Sequence, residues 1–250
     1  MKLIDVNPDN VMEHGLFCLK DKSSPGFKKK LAWYQKRFKE GLKFRMLLAD
    51  DGKAAGFIEY IPSEFAWRPV QVNNYLFVHC IMIYPNKYKG LNYGSLLVES
   101  CIKEARNTGK DGVAVVTSDG AFIANSQLFL KLGFKLVDKK DRFELLAYIL
   151  SDGPKPKFYD WQKQLPEYKG WHLLYADQCP WHEKAVNSLA QAAEVHGISL
   201  KVKKITSAKA AQQAPTGYGV FNLIKDGSVL ADHYISETRF KNILKQQLVV

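Results

Sequence analysis

The run YLFVHCIMIY, residues 75–84, is apolar almost throughout, with His79 its one strongly polar member, and it stops at Pro85. A stretch this continuous and this rich in aromatic and branched residues predicts a central strand covered on both faces. Upstream, FRMLLADDGKAAGFIEYIP holds two apolar runs about an Asp-Asp-Gly turn, which predicts a hairpin. Residues 3–6 read as a short strand, and Asn7, Pro8 and Asp9 as the start of a helix over NVMEHGLFCL. After SSPG, the residues Phe27, Leu31, Tyr34 and Phe38 fall at helical spacing on one face, and the other face is basic. Downstream of the central strand come a turn with two glycines, the amphipathic helix of YKGLNYGSLLVESCI, a strand in DGVAVVTS and a short helix in ANSQLFLKLGF. Two strands in KLVDKKDRFELLAYIL close this part.

The pattern then lapses. SDGPKPKFYDWQKQLPEYKG combines three prolines with several lysines and little periodicity, so we place a linker at 151–168 between a first domain at 1–150 and a second at 169–250. The second part reads as strand WHLLYAD, helix CPWHEKAVNSLAQAAEVHG, strand SLKVKKI, helix SAKAAQQ, a hairpin about Asp226-Gly227 and a closing helix in SETRFKNILKQQL. A β-α-β-α-β-β-α order of this length suffices for a small independent domain. The fold class is therefore α/β, with a mixed sheet followed by a smaller α/β domain.

The chain of 250 residues is 46% hydrophobic and 24% charged, a globular composition. No stretch approaches the roughly 20 apolar residues of a membrane span, and the first residues have no signal-peptide core, so no membrane is expected and the expected location is cytoplasmic. Cys18, Cys80, Cys101 and Cys179 are too scattered for a disulfide framework or a zinc knuckle, and reduced thiols follow. Net charge is +11, split as about +8 before residue 158 and about +3 after it, which favours an anionic ligand on the first part. The lysines are dispersed and no nucleic-acid-binding motif is present, so no nucleic acid is expected. Nothing in the sequence fixes the oligomeric state.

The turn before the amphipathic helix is the first candidate site. A helix amino terminus exposes unpaired N–H groups and a partial positive charge, and a glycine-rich approach lets them wrap a pyrophosphate; the plain alternative is a strand-to-helix turn. Lys89, Gly90, Asn92 and Gly94 follow an R/Q-x-x-G-x-G/A type of arrangement, with Asn92 tolerating the backbone angles glycine usually supplies. Together with the preceding strand FVHCIMIYP and the later ANSQLFLKLGF, this loop resembles the GNAT superfamily of acetyl-coenzyme A dependent N-acetyltransferases over about residues 1–150. The resemblance implies a twisted mixed sheet whose fourth and fifth strands splay apart around the cofactor, acetyl-CoA. It implies that Ile81, Met82 and Ile83 pair with the pantetheine amides and polarise the thioester. It gives the pyrophosphate to Lys89, Gly90, Leu91, Asn92, Tyr93, Gly94 and Ser95, and the cofactor arm to Asn125, which as a residue is equally a helix cap. Phe129 stands where many relatives have a tyrosine that protonates the departing thiolate, and a phenyl ring has no proton to give.

Amine acetylation also needs a base. The candidates are Glu59, which is either in the slot or in a structural pair, His79 and Cys80 on the central strand, and Tyr84. Glu64, Trp67 and Arg68 in PSEFAWRPV form either a lid over the substrate or a loop pinned by its aromatic residues.

In the second part, Cys179 opens the first helix, where unpaired N–H groups favour a thiolate, and Pro180 suits a first helical turn. With Ala214-Pro215 ahead of the last hairpin, this order resembles the thioredoxin and glutaredoxin fold, in which a cis proline faces the active cysteine; the whole chain resembles GNAT proteins with a YoaP-type carboxy-terminal domain. Cys179-Pro180-Trp181-His182 lacks a second thiol, so intramolecular disulfide cycling is excluded locally. Single-thiol exchange, recognition without turnover, and an inert capping cysteine stay open, with Cys179, His182 and Pro215 as the residues concerned. A metal at Cys179 and His182 would need His172 or His233 as well, and no metal is expected. The expected function is acetyl transfer to a primary amine of a small molecule, with the second domain shaping or presenting the substrate. The rival is a catalytically impaired acyl-CoA-binding protein whose second domain recruits a thiol or peptide partner.

Overall fold

In the computed structural model, which describes residues 1–248, the chain forms two compact units. The first comprises 1–20, 34–66 and 70–158; the second comprises 21–33, 67–69 and 159–250. The strands are β1 (Lys2–Val6), β2 (Lys43–Leu48), β3 (Ala54–Pro62), β4 (Val70–Gln71), β5 (Tyr75–Ile83), β6 (Gly112–Thr117), β7 (Lys135–Lys140), β8 (Phe143–Ile149), β9 (Lys157–Phe158), β10 (Trp171–Tyr175), β11 (Leu200–Lys204), β12 (Phe221–Lys225) and β13 (Ser228–Ala231). The helices are α1 (Val11–His14), α2 (Pro25–Phe38), α3 (Tyr93–Asn107), α4 (Gln127–Lys131), α5 (His182–Val195), α6 (Ala208–Gln212) and α7 (Glu237–Leu248).

The first unit is built on a seven-stranded sheet in the order β1-β2-β3-β5-β6-β8-β7. Only β5 and β6 run parallel, joined by α3, as a crossover requires. Because β3, β5 and β6 are central, their apolar residues are largely buried on both faces, except at the end of β5, where Ile81 and Ile83 are half-buried and Met82 is exposed. One face packs on α3, where Ile58, Tyr60, Val78, Leu97, Val98 and Cys101 form the core. On the other face Phe44, Phe57 and Tyr34 of α2 form an aromatic cluster, with ring centres 5.1 Å apart for Phe44–Phe57 and 5.3 Å for Tyr34–Phe44. The basic face expected of α2 is only partly exposed: Lys30 is buried with its ammonium 4.6 Å from the Trp33 ring, and Arg37 is buried and pairs with Glu40.

The second unit is a four-stranded sheet ordered β11-β10-β12-β13, with β10 parallel to β11 and the other neighbours antiparallel. Leu173, Leu189, Phe221, Leu223 and Phe240 fill its core. The hairpin turns at Asp226 and Gly227, whose φ values of 46° and 77° suit an Asp-Gly pair. The stretch read as a linker is more ordered than its composition suggests. Lys157 and Phe158 form β9, which pairs with β4, and residues 161–167 make a 3-10 turn. The second unit begins at Tyr159 and takes in two early segments that carry no compositional mark.

Candidate active site

β5 and β6 pair through Tyr75↔Gly112 as far as Val78↔Val115, and there the ladder ends. Beyond it β6 continues beside β8, with Val116↔Leu145 and Thr117↔Glu144, while β5 continues beside β3 to Gly56↔Ile83. The sheet therefore forks between two parallel strands, and among the described residues the β6-facing edge of Ile81, Met82 and Ile83 has no ladder partner. An unpaired strand edge accepts an extended ligand by the same hydrogen bonds a neighbouring strand would make. At the mouth of this fork lies the loop 89–95. Gly90 has φ +80° with open space where a Cβ would stand, and Asn92 is left-handed at φ 58°, ψ 11°. The first bond into α3 runs from the Leu96 N–H to the Asn92 carbonyl, and no side chain caps the helix. The N–H groups of Tyr93, Gly94 and Ser95 thus point out of the helix end, where the helix dipole favours an anion.

The loop is braced from behind. The Tyr88 hydroxyl donates to Asp51, 2.9 Å from Oδ2, and Lys87 reaches the same carboxylate at 3.1 Å. Hydrogen bonds from Lys87, the Lys53 N–H and Tyr88 hold the Asp51 carboxyl down to about 2. Neither Asp51 nor Tyr88 was legible as a site residue, since Asp51 reads as a turn residue and Tyr88 as an ordinary aromatic. Gly94 serves packing as well: a Cβ there would lie 3.2 Å from Leu128, so its side-chain direction faces α4.

Several sequence expectations land elsewhere. Phe129 is fully buried in the α3-side core, edge-on to Phe134 at 5.2 Å, so its ring is a core ring. Asn125 stands one residue before Ser126, the cap of α4; its side-chain oxygen accepts from the Gln127 N–H at 2.8 Å, and its amide donates to Asp119. Tyr84 is 59% exposed, its N–H bonded to the Ala55 carbonyl. Glu64 is exposed in the first unit, whereas Trp67 and Arg68 are buried in the second. Arg68 donates to Gln178 at 2.9 Å and to the Trp67 carbonyl, and lies 5.2 Å from the Tyr218 ring. A three-residue substrate lid is thereby corrected, because Trp67 and Arg68 are core residues with protein partners.

Glu59 and His79 do come together. Glu59 lies opposite Cys80, Tyr60 lies opposite Val78, and His79 is the extra residue of a bulge between those pairs. A bulge re-aims a side chain. His79 Nδ1 sits 3.4 Å from Glu59 Oε1, and the Tyr34 hydroxyl donates to Glu59 Oε2 at 2.6 Å. Burial, with the adjacent Glu59 charge and hydrogen bond, drives the Tyr34 hydroxyl well above its ordinary value, so it remains a donor.

In the second unit Cys179 precedes α5 rather than opening it; the cap position is Trp181 and the first helical residue is His182. The Ala214–Pro215 peptide is trans, and Pro215 lies in a buried stretch. His182 is fully buried, with Nδ1 2.8 Å from the Ala176 carbonyl; that carbonyl only accepts, so Nδ1 carries the proton. Burial lowers its pKa to about 4. Among the described residues no group of three or more His, Cys, Asp or Glu is arranged to hold a metal, and no helix is long and apolar enough to cross a membrane.

A sheet forked between parallel strands, with a bare helix end at the fork, sets an unpaired strand edge beside a helix terminus that favours an anion. Residues 12–134 match the family described as Acetyltransferase (GNAT) family. Over almost its whole length the chain is similar to a Bacillus subtilis (strain 168) protein described as an uncharacterized N-acetyltransferase, YoaP. The two are 27% identical over 252 residues, covering 98% of each. Among solved structures, a GNAT family acetyltransferase from Staphylococcus aureus MU50 matches 60% of this chain and 99% of its own, at 17% identity and TM-score 0.44. A ribosomal-protein-alanine N-acetyltransferase from Brucella melitensis matches 60% and 100%, at 14% identity and TM-score 0.42.

Proposed function

We propose that the first unit transfers the acetyl group of acetyl-coenzyme A to the primary amine of a small molecule by direct attack on the thioester. The observation that carries this reading is the fork: the ladder between β5 and β6 stops at Val78↔Val115 while both strands continue. In this reading the pantetheine arm lies along Ile81, Met82 and Ile83, one of whose N–H groups polarises the thioester carbonyl. The pyrophosphate lies on residues 89–95, and the +11 net charge favours so anionic a cofactor. The reading places the reaction in the cytoplasm, with no nucleic acid or membrane involved. The strand order β11-β10-β12-β13 supports a thioredoxin-like second unit, with Cys179 near its first helix.

Titration calorimetry with acetyl-coenzyme A, followed by a thiol-release assay against a panel of primary amines, tests the proposal. We expect binding and amine-dependent thiol release. Binding without release for every amine favours the impaired acyl-CoA-binding alternative, and no binding removes both. Gly90→Val is expected to weaken cofactor binding about tenfold or more, since φ +80° strains any side chain and the loop's concave side is open. Unchanged affinity would count against the loop assignment.

A further inference from the structure

The turn between β2 and β3 carries a carboxylate whose partners lie far along the chain. Asp51 stands at the hairpin tip, just past a slip of the β2–β3 register between Leu47 and Leu48 that re-aims the turn. The Tyr88 hydroxyl donates to its Oδ2 at 2.9 Å and Lys87 Nζ to the same oxygen at 3.1 Å, while the Lys53 N–H donates to Oδ1 at 3.1 Å. Tyr88 and Lys87 are 37 and 36 residues away in sequence, in the 3-10 turn 86–88 from which the loop 89–95 departs. The bonds therefore tie the hairpin to the root of that loop.

The ring of Tyr88 is the other half of the joint. It is buried in a small cluster with Ala49 and Ala55 of the hairpin, against which Ile83 and Tyr93 pack. Ile83 ends β5, and Tyr93 is the first residue of α3, its ring centre 6.0 Å from that of Tyr88. Gly56 brings the hairpin close: a Cβ there would stand 2.6 Å from the Met82 carbonyl oxygen, so β3 lies against the end of β5 as only glycine permits. One tyrosine thus meets the hairpin, the end of the forked strand and the start of the helix.

We propose that Asp51 and Tyr88 are positioning residues for the diphosphate of the cofactor: the carboxylate clamps the tyrosine, and the tyrosine sets how residues 89–95 meet the start of α3. The inference rests on the acetyl-transfer reading and adds to it two residues that act on the ligand only through the loop.

The sign of the charge carries the argument. A carboxylate behind a diphosphate loop opposes the ligand, and Asp51 also engages Lys87, a cation that the loop could otherwise offer. On charge alone, removing Asp51 should tighten cofactor binding. The ion pair is a weak reason for an acid in this place, since the Lys87 and Asp51 side chains are 57% and 40% exposed and such pairs add little stability. What the carboxylate holds accounts for it better. The loop is left-handed at Gly90 and Asn92, with φ 80° and 58°, and its N–H groups grip an anion only when they converge. A loop fixed beforehand gives up less entropy when the ligand arrives. Asp50 supplies the contrast: it carries the same charge one residue away and pairs with the Met1 amino group.

Titration calorimetry with coenzyme A on the full-length protein tests the sign. We expect Asp51→Ala to weaken binding about tenfold and Tyr88→Phe about fivefold, although the first variant removes a negative charge. The double variant should bind within about twofold of Asp51→Ala, because the two residues act through one bond. Asp50→Ala should leave affinity within about twofold or raise it. ³¹P NMR of the bound coenzyme gives a signature that general loosening would not. In Tyr88→Phe, whose ring still fills the cluster, the diphosphate signals should move while the 3′-phosphate signal stays. Tighter or unchanged binding in Asp51→Ala, losses that add in the double variant, or stationary diphosphate signals each overturn the proposal. If the wild type does not bind coenzyme A, the transfer reading fails and the proposal with it; if it binds and the variants lose nothing, the proposal alone fails.

Discussion

His182 shows how one buried side chain ties stability to pH. In the folded chain its pKa is lowered from 6.5 to about 4, chiefly because burial disfavours the charged ring. Between those values the unfolded chain binds a proton that the native one refuses, so stability is full above 6.5 and falls as pH drops toward 4. At about 1.4 kcal/mol per pH unit the loss by pH 4 is roughly 3 kcal/mol. Urea unfolding of the wild type and of His182→Phe, whose ring suits the company of Tyr218, Phe221 and Tyr234, should show the acid-side loss in the first and a flatter curve in the second. Single residues were unevenly legible. The left-handed Asn92 follows from its chemistry and place in the loop, whereas Tyr34 marks only the apolar face of a helix, and nothing in the sequence says its hydroxyl meets Glu59. Arg68 and Trp67 read as a surface loop because Pro and Glu flank them; their burial comes from Trp33 of α2 and from segments more than a hundred residues away.

At the scale of elements, the strand pattern identifies β2, β3, β5, β6 and β8 from their apolar runs, and the Asp-Gly turns place two hairpins. Register is another matter: alternation carries no mark of the bulge at His79, since His79 and Cys80 sit in a run with both faces covered and no alternation to break. The fork depends equally on β6. At Gly112 a Cβ would overlap the Tyr148 carbonyl and the Tyr75 ring, so β8, β6 and β5 approach there as only glycine permits. Gly112→Ala is expected to cost about 2 kcal/mol or more and to loosen the paired end of the fork. A lowered melting temperature together with weaker acetyl-coenzyme A binding would bear this out; a stability change within experimental error would mean that the neighbouring strands shift freely.

At the scale of the whole molecule, composition was informative about charge and less so about where one unit ends. With Lys and Arg exceeding Asp and Glu by 11, cofactor affinity should fall as salt rises from about 0.05 M to 0.5 M, since screening shortens the reach of exposed charges; calorimetry at several salt concentrations reads this directly. The longest segment of the second unit begins at Tyr159, inside the Pro- and Lys-rich stretch. Yet residues 21–33 and 67–69 belong to that unit too. Gly219 lies so close to the Trp67 carbonyl that a Cβ would stand 3.1 Å from it, and Lys29 pairs with Glu183 at 3.3 Å. A fragment of residues 159–250 should therefore bind a hydrophobic dye and exchange its amides faster than the same residues in the full chain. The order of synthesis follows from this interleaving. As the nascent chain leaves the ribosome, Trp67 and Arg68 emerge long before β10 to β13, so the second unit closes only after those strands have been made, and until then these two side chains stand open to chaperones.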